Sequence, residues 1–192
     1  MSKKGKLFVI SAPSGSGKTT LCQKLVRSFS GKKRRLIRSV SATTRKARPG
    51  ERGGRDYFFI SRAEFIKKRK ARHFLEWASV LGNLYGTPRE FVEWHTGCGD
   101  DVLLSIDVQG ARKIRRTIKG AIFIFITPPS FGELRARLTQ RSTEGKREIN
   151  RRLTLARQEL KVTREYHYVV VNDKIKSALR ELKQIIRRER EK

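Results

Sequence analysis

The sequence predicts an α/β fold in which a parallel sheet carries helices on both faces. Three observations lead there. Four short apolar runs, residues 7–10, 102–106, 121–126 and 168–171, read as strands buried on both faces, the habit of parallel strands. Helical patterns fall between and after them, and that alternation implies crossover helices covering the sheet. A Gly-rich turn, Ala12-Pro13-Ser14-Gly15-Ser16-Gly17-Lys18-Thr19-Thr20, joins the first strand to the first helix.

That turn is built to cradle phosphate. Its backbone N–H groups can converge on a polyphosphate, and the helix that follows adds its positive N-terminal end. Lys18 can reach the β and γ phosphates, while the Thr19 hydroxyl can hold Mg²⁺. A nucleoside triphosphate is the expected ligand of residues 12–20. The usual pattern begins with Gly, and Ala12 stands there instead. Ala fits a tight turn only if its φ is negative.

From about residue 39 to 85 the pattern changes. Arg48-Pro49-Gly50-Glu51 and Gly53-Gly54 are turn signals, and short strands are expected at 57–60 and 74–80. A helix with a capping box, Ser61-Arg62-Ala63-Glu64, lies between them. This reads as a small inserted lobe. The chain returns through Thr87-Pro88-Arg89-Glu90, with Thr87 as expected cap, Pro88 first in the helix and Glu90 third. Later come a second capping box, Ser130-Phe131-Gly132-Glu133, and helical spacing of Ile149, Leu153, Ala156 and Leu160. The final helix carries an apolar stripe from Ile175 to Ile186, with Asp173 as its expected N-cap.

A chain of 192 residues suits one folding unit, 1–192, with a small insertion. The basic start is followed by too short an apolar run for export, and nothing approaches the ~18 apolar residues of a membrane span. A cytoplasmic protein without membrane attachment is expected, with Cys22 and Cys98 as free thiols. The 46 Lys and Arg against 18 Asp and Glu give a formal net charge of +28. Such a surface attracts polyanions. A solvated basic surface and a weak, nonspecific association with RNA both remain open, although aromatic residues are not interleaved with the basic runs.

The lobe is where the sequence becomes specific. It carries Val40-Ser41-Ala42-Thr43-Thr44-Arg45-Lys46-Ala47-Arg48-Pro49-Gly50-Glu51, then Asp56-Tyr57, Phe74-Leu75-Glu76-Trp77 and Gly82-Asn83-Leu84-Tyr85-Gly86-Thr87. With Ile106-Asp107-Val108-Gln109-Gly110-Ala111 after it, this series resembles the guanylate kinases, nucleoside monophosphate kinases of the P-loop class, over nearly the whole chain. The resemblance implies a P-loop sheet core at about 1–38, 98–136 and 153–192, a GMP-binding lobe at about 39–97 and a helical lid at about 137–152. It also implies ATP and GMP as substrates, with dGMP as an alternative acceptor, and Mg²⁺ as cofactor.

By the same resemblance Arg45, Arg48, Tyr57 and Tyr85 hold the phosphate of GMP. Two guanidinium forks and two neutral donors suit that task. Glu76 accepts from the N1–H and 2-amino groups of guanine, and Ser41 and Thr87 donate to O6. Asp107, at the end of a strand, is placed near the base and orients Mg²⁺ through water. Two positions earlier the family carries a second acidic residue, where this chain has Ser105. Arg137, Arg141 and Arg152 match the lid arginines that join Lys18 in offsetting charge on the transferring phosphoryl group. Arg151 reads as a surface residue, and His73, His95 and His167 as structural or exposed. The alternatives are a non-catalytic phosphopeptide module and a kinase with a phosphorylated sugar as acceptor.

Overall fold

The structure, a computed structural model, describes residues 4–32, 34–141 and 146–192. The chain opens with strand β1 (Leu7–Ser11), helix α1 (Lys18–Arg27) and β2 (Leu36–Arg38). It then passes through β3 (Ala42–Thr43), β4 (Phe58–Phe59), α2 (Arg62–Lys70), β5 (Phe74–Val80), β6 (Asn83–Pro88) and α3 (Arg89–Gly97). β7 (Asp101–Ser105), α4 (Val108–Thr117), β8 (Ile122–Thr127), α5 (Phe131–Arg141), α6 (Lys146–Leu160), β9 (Tyr168–Val171) and α7 (Ile175–Glu191) complete it.

Five strands form an all-parallel sheet in the order β2-β7-β1-β8-β9. The alternation of side chains along β1 divides the core. Phe8 and Ile10 meet α1 and α7 through Leu21, Leu25, Leu182 and Ile186, whereas Leu7 and Val9 meet α3 and α4 through Val92, Ala111 and Ile114. The expected layered fold follows from strands with no polar face. β9 departs from that expectation. It is a sheet edge, paired to β8 alone, with Val170 buried but Val169 and Val171 exposed.

The insertion forms its own four-stranded sheet, ordered β4-β3-β6-β5, closed over Phe65, Phe74, Ala42 and Leu84. Phe65 and Phe74 stack with ring centres 4.5 Å apart. The strand expected at 57–60 shortens to Phe58–Phe59, while the one at 74–80 is found with those limits. β5 and β6 turn through Leu81 and Gly82 with φ of 49° and 79°, the left-handed pair of a tight hairpin turn.

In both expected capping boxes the serine half forms, Ser61 accepting from Glu64 N–H and Ser130 from Glu133 N–H, each at 3.1 Å, while the two glutamates turn to Lys68 and Arg137. Two expected caps do not. Thr87 belongs to β6, its hydroxyl is drawn to a buried carboxylate, and Pro88 stands at the cap of α3 without a side-chain bond. Asp173 lies one residue too early for α7, whose cap position is the extended Lys174. Cys22 is buried, Cys98 is exposed, and both are free. Among the described residues no helix is long and apolar enough to cross a membrane.

Candidate active site

A cleft opens at the carboxyl ends of β1 and β7, where open parallel sheets place their ligands. Its floor is the Gly-rich turn. Gly15 and Gly17 have φ of 87° and 81°, so these two positions need glycine. Ala12 is buried, and it is not among the positive-φ residues, so the first position of the turn never required one here. Gly17 caps α1, and the helix begins with Lys18 and Thr19. Pro13 O accepts from Ser16 N–H at 3.1 Å and closes the turn. Asn172, just past β9, donates its side-chain amide to Ser16 O at 2.8 Å and locks the loop from outside. A Cβ on Gly17 would sit 2.4 Å from that amide.

Lys18 points into the cleft and donates to Ile106 O at 2.9 Å. Burial pushes its ammonium below the ordinary lysine value, and nearby Cys22, Asp107, Glu159 and Glu76 only partly counter this. Thr19 is exposed at the head of α1, and Thr20 follows in the same turn. Ser14 lines the cleft with Ala12 and Lys18, while Pro13, Gly15, Ser16 and Gly17 belong to the same turn without lining it.

The deeper end is a carboxylate pocket. Glu76 on β5 is 6% exposed and accepts a hydrogen bond from Thr87 Oγ1 at 2.6 Å. Burial raises its carboxyl to about 7, opposed by the Thr87 bond and reinforced by Asp107. Gly110 permits this placement, since a Cβ there would lie 2.6 Å from Glu76 Oε2. Ser41 and Tyr85 share the wall with Glu76, and Thr87 stands behind it, fully buried. Asp107 also lines the cleft, and as N-cap of α4 it accepts from Gln109 N–H at 2.6 Å and Gly110 N–H at 3.0 Å. Ser105 ends β7, and it too lines the cleft.

At the lobe rim, Arg48 and Tyr57 line the cleft, and Tyr57 meets Tyr85 edge-on at 5.9 Å. Arg45 stands beside them without lining it. Its fork is taken by Glu51, with Nη1 to Oε2 at 2.8 Å and Nη2 to Oε1 at 2.9 Å, and its guanidinium lies 5.4 Å from the Tyr57 ring centre. Burial works against that charge, but hydrogen bonds to Glu51 and Tyr85 outweigh it and hold the guanidinium above its ordinary value. Glu51, which also accepts from Arg48 N–H, was not singled out by sequence reasoning. The acid three residues after Arg48, across a Pro-Gly turn, was its only signal.

From the lid side, α6 delivers Arg152 to the cleft, with Leu155 and Glu159. Glu159 is a further residue that sequence reasoning missed. Its spacing of seven from Arg152 places both on one helix face, a signal that was present. Burial raises its carboxyl to about 7, with Lys18 opposing and Asp107 reinforcing the shift. Arg137 on α5 is turned elsewhere, donating to Glu133 Oε1 at 2.9 Å and to Asn172 O at 3.2 Å. Arg141 ends α5, and its side chain lies outside the described residues, as does the Ser142 to Gly145 segment.

Ten residues expected at the site therefore meet in one cleft: Ala12, Ser14, Lys18, Ser41, Arg48, Tyr57, Glu76, Tyr85, Asp107 and Arg152. Among the described residues no group of three or more His, Cys, Asp or Glu is placed to hold a metal ion. A hydroxyl and one carboxylate, Thr19 and Asp107, fit Mg²⁺, which binds through few protein groups and keeps waters and substrate phosphates.

A family model described as guanylate kinase matches residues 4–189. The guanylate kinase of Geobacter sulfurreducens is 46% identical over 186 residues, 97% of this chain and 90% of that one. The guanylate kinase of Thermotoga maritima is 44% identical, covering 98% of this chain and 89% of its own. The crystal structure of guanylate kinase from Anaplasma phagocytophilum superposes with a TM-score of 0.82 at 35% identity, across 99% of this chain and 88% of that one.

Proposed function

The chain belongs to the guanylate kinase family and catalyses ATP-dependent phosphorylation of GMP to GDP, and we propose that the cleft between β1, β7, the lobe and α6 seats both nucleotides. One observation supports this placement above the rest. A buried carboxylate, Glu76, lies at one end of a cleft whose other end is a phosphate loop with its lysine, and only a purine with adjacent N–H donors satisfies the first while a polyphosphate satisfies the second.

In this reading the backbone of residues 12–20 and Lys18 hold the phosphates of ATP. Thr19 and Asp107, the latter through water, hold Mg²⁺, which when bound neutralises charge on the phosphates. Ser41, Glu76 and Thr87 read guanine, with Asp107 beside them. Thr87 acts through Glu76 in the open cleft and turns toward O6 when guanine displaces it. Arg45, Arg48, Tyr57 and Tyr85 hold the GMP phosphate, with Glu51 fixing the Arg45 fork. In this reading dGMP is a second acceptor.

The attacking phosphate oxygen is already anionic and needs no general base. Catalysis then rests on alignment and on cations placed where negative charge spreads, Lys18, Arg137, Arg141 and Arg152. Arg137 exchanges Glu133 for phosphate when the lid closes. Residues 39–97 move as the GMP lobe and 137–152 as the lid around a core of 1–38, 98–136 and 153–192. The separate sheet and apolar cluster of the lobe support that division. α6 spans Lys146–Leu160 without a break, so the boundary at 152 falls within it, with Arg152 on the lid side and Leu155 and Glu159 on the core side. Closure excludes water and suppresses loss of ATP to hydrolysis. Placement in the cytoplasm, where ATP and GMP are found, completes the proposal.

A coupled assay with ATP and each of GMP, dGMP, AMP, UMP and CMP tests the reading. Turnover with GMP and dGMP alone is expected, and comparable turnover with AMP would reject the role of Glu76. A phosphorylated sugar used in place of GMP would move the protein to the alternative acceptor class.

A further inference from the structure

The 46 Lys and Arg are not equally free, because some of them are paired or laid over aromatic rings within the chain. On α4, Arg112 pairs with Glu165, Arg115 bonds Glu165 O and covers the Phe123 ring, and Lys113 bonds Trp77 O over its ring. α7 is different. Its buried side is Ala178, Leu182, Ile185, Ile186 and Glu189, which puts Lys176, Arg180, Lys183 and Arg187 in one row along the opposite side. Among the described residues none of these four is in an ion pair, and Glu181 and Glu191 lie beside or beyond the row. α1 packs against α7 and adds exposed Lys24 and Arg27 to the same outer surface.

We propose that the outer face of α7, extended by α1, is a docking track for the phosphodiester backbone of a nucleic acid. The row runs eleven residues, about 16 Å at 1.5 Å per residue, an axial length over which each strand of a duplex carries about five phosphates at 3.4 Å of axis apiece. Regular cations on a rigid helix match a regular line of phosphates. No large aromatic or aliphatic side chain stands within the row; Ile175 at the start of α7 is the nearest exposed one, so a bilayer finds nothing to insert. The same absence of aromatic platforms makes the binding independent of sequence. No residue of the row, nor Lys24 or Arg27, lines the catalytic cleft, which stays accessible while the track is occupied.

Fluorescence anisotropy with the full-length protein and a labelled 16-base-pair RNA duplex, repeated with a DNA duplex, measures this directly. Four to six phosphate contacts predict an affinity that falls by about 10² to 10³ between 50 and 200 mM salt. The variant Lys176→Gln, Arg180→Gln, Lys183→Gln, Arg187→Gln should lower the slope of log K against log salt by about 3 to 4 and weaken binding at least about tenfold at 100 mM salt. A control losing the same charge on the lobe, Lys67→Gln, Lys68→Gln, Arg69→Gln, Lys70→Gln, should keep the slope to within about one. GMP kinase turnover of both variants should match the parent, and saturating nucleotides should not displace the RNA. Equal losses in the two variants would reduce the effect to net charge and overturn the track. Displacement by ATP and GMP would place the RNA in the cleft, and equal affinity for anionic vesicles would replace nucleic acid by a membrane; either result rejects the proposal.

Discussion

Glu76→Gln converts a buried carboxylate into an amide of the same shape at the point where the proposed site reads guanine. Burial raises the parent carboxyl to about 7 while the cleft is open. Guanine presents two donors, and the ionised form accepts from both. The parent must therefore ionise to bind GMP, so about one tenth of the cleft is competent at pH 6 and about nine tenths at pH 8, a tenfold fall in KM for GMP over that range. In the variant one amide oxygen accepts a single donor, and the amide nitrogen faces the other donor. Two mismatched buried groups at about 1 to 2 kcal/mol each predict a loss of about 30-fold to 1,000-fold in kcat/KM for GMP, with KM for ATP unchanged. The substrate phosphate titrates in parent and variant alike, so the difference between their pH profiles isolates Glu76. Steady-state kinetics from pH 6 to 8.5 are the assay. A parent whose KM for GMP is flat across that range, or a variant that keeps the parent's slope, refutes the reasoning.

The same residue carries a stability signature of defined sign. Its folded-state value lies above the ordinary 4.5, so the open parent loses stability as pH rises from about 4.5 to 7, by about 3 kcal/mol in full; the Gln variant should melt higher at pH 8, with the gap closed below pH 5. Glu159→Gln removes a carboxylate that faces incoming phosphates beside Lys18, and should lower KM for ATP several-fold above pH 7 with little change near pH 6, read by the same kinetics. Lys18→Ala should abolish phosphoryl transfer while the circular dichroism spectrum and thermal transition persist. Asp101→Asn disturbs a fully buried carboxylate held by Arg34 Nη2 at 2.5 Å and Arg190 Nε at 2.7 Å, and should cost about 3 to 5 kcal/mol in chemical denaturation. In native protein a thiol reagent should label one cysteine rapidly, Cys98, with Cys22 reacting only on unfolding.

The core strands and the phosphate loop were readable because each is encoded locally, by a run of apolar residues or by glycines at positive φ. β2 and β6 were not, since three residues at the sheet margin and a strand containing Gly86 and Pro88 carry little periodicity. Thr87 shows the limit clearly. Its sequence neighbours spell a helix cap, but a carboxylate eleven positions earlier takes the hydroxyl, and only the paired register of β5 and β6 reveals that competitor. Ten of the residues named from the phosphate-loop pattern and the family resemblance do meet in one cleft, whereas their present partners were not legible. Arg45 with Glu51 and Arg137 with Glu133 are pairings that depend on side-chain rotamers rather than on pattern.

The amide of Asn172 reaches Ser16 across 156 positions of chain. A loop that looks self-contained is thereby tied to the edge strand β9, which Asn172 follows, so a disturbance at that margin of the sheet reaches the turn before Lys18 without touching it.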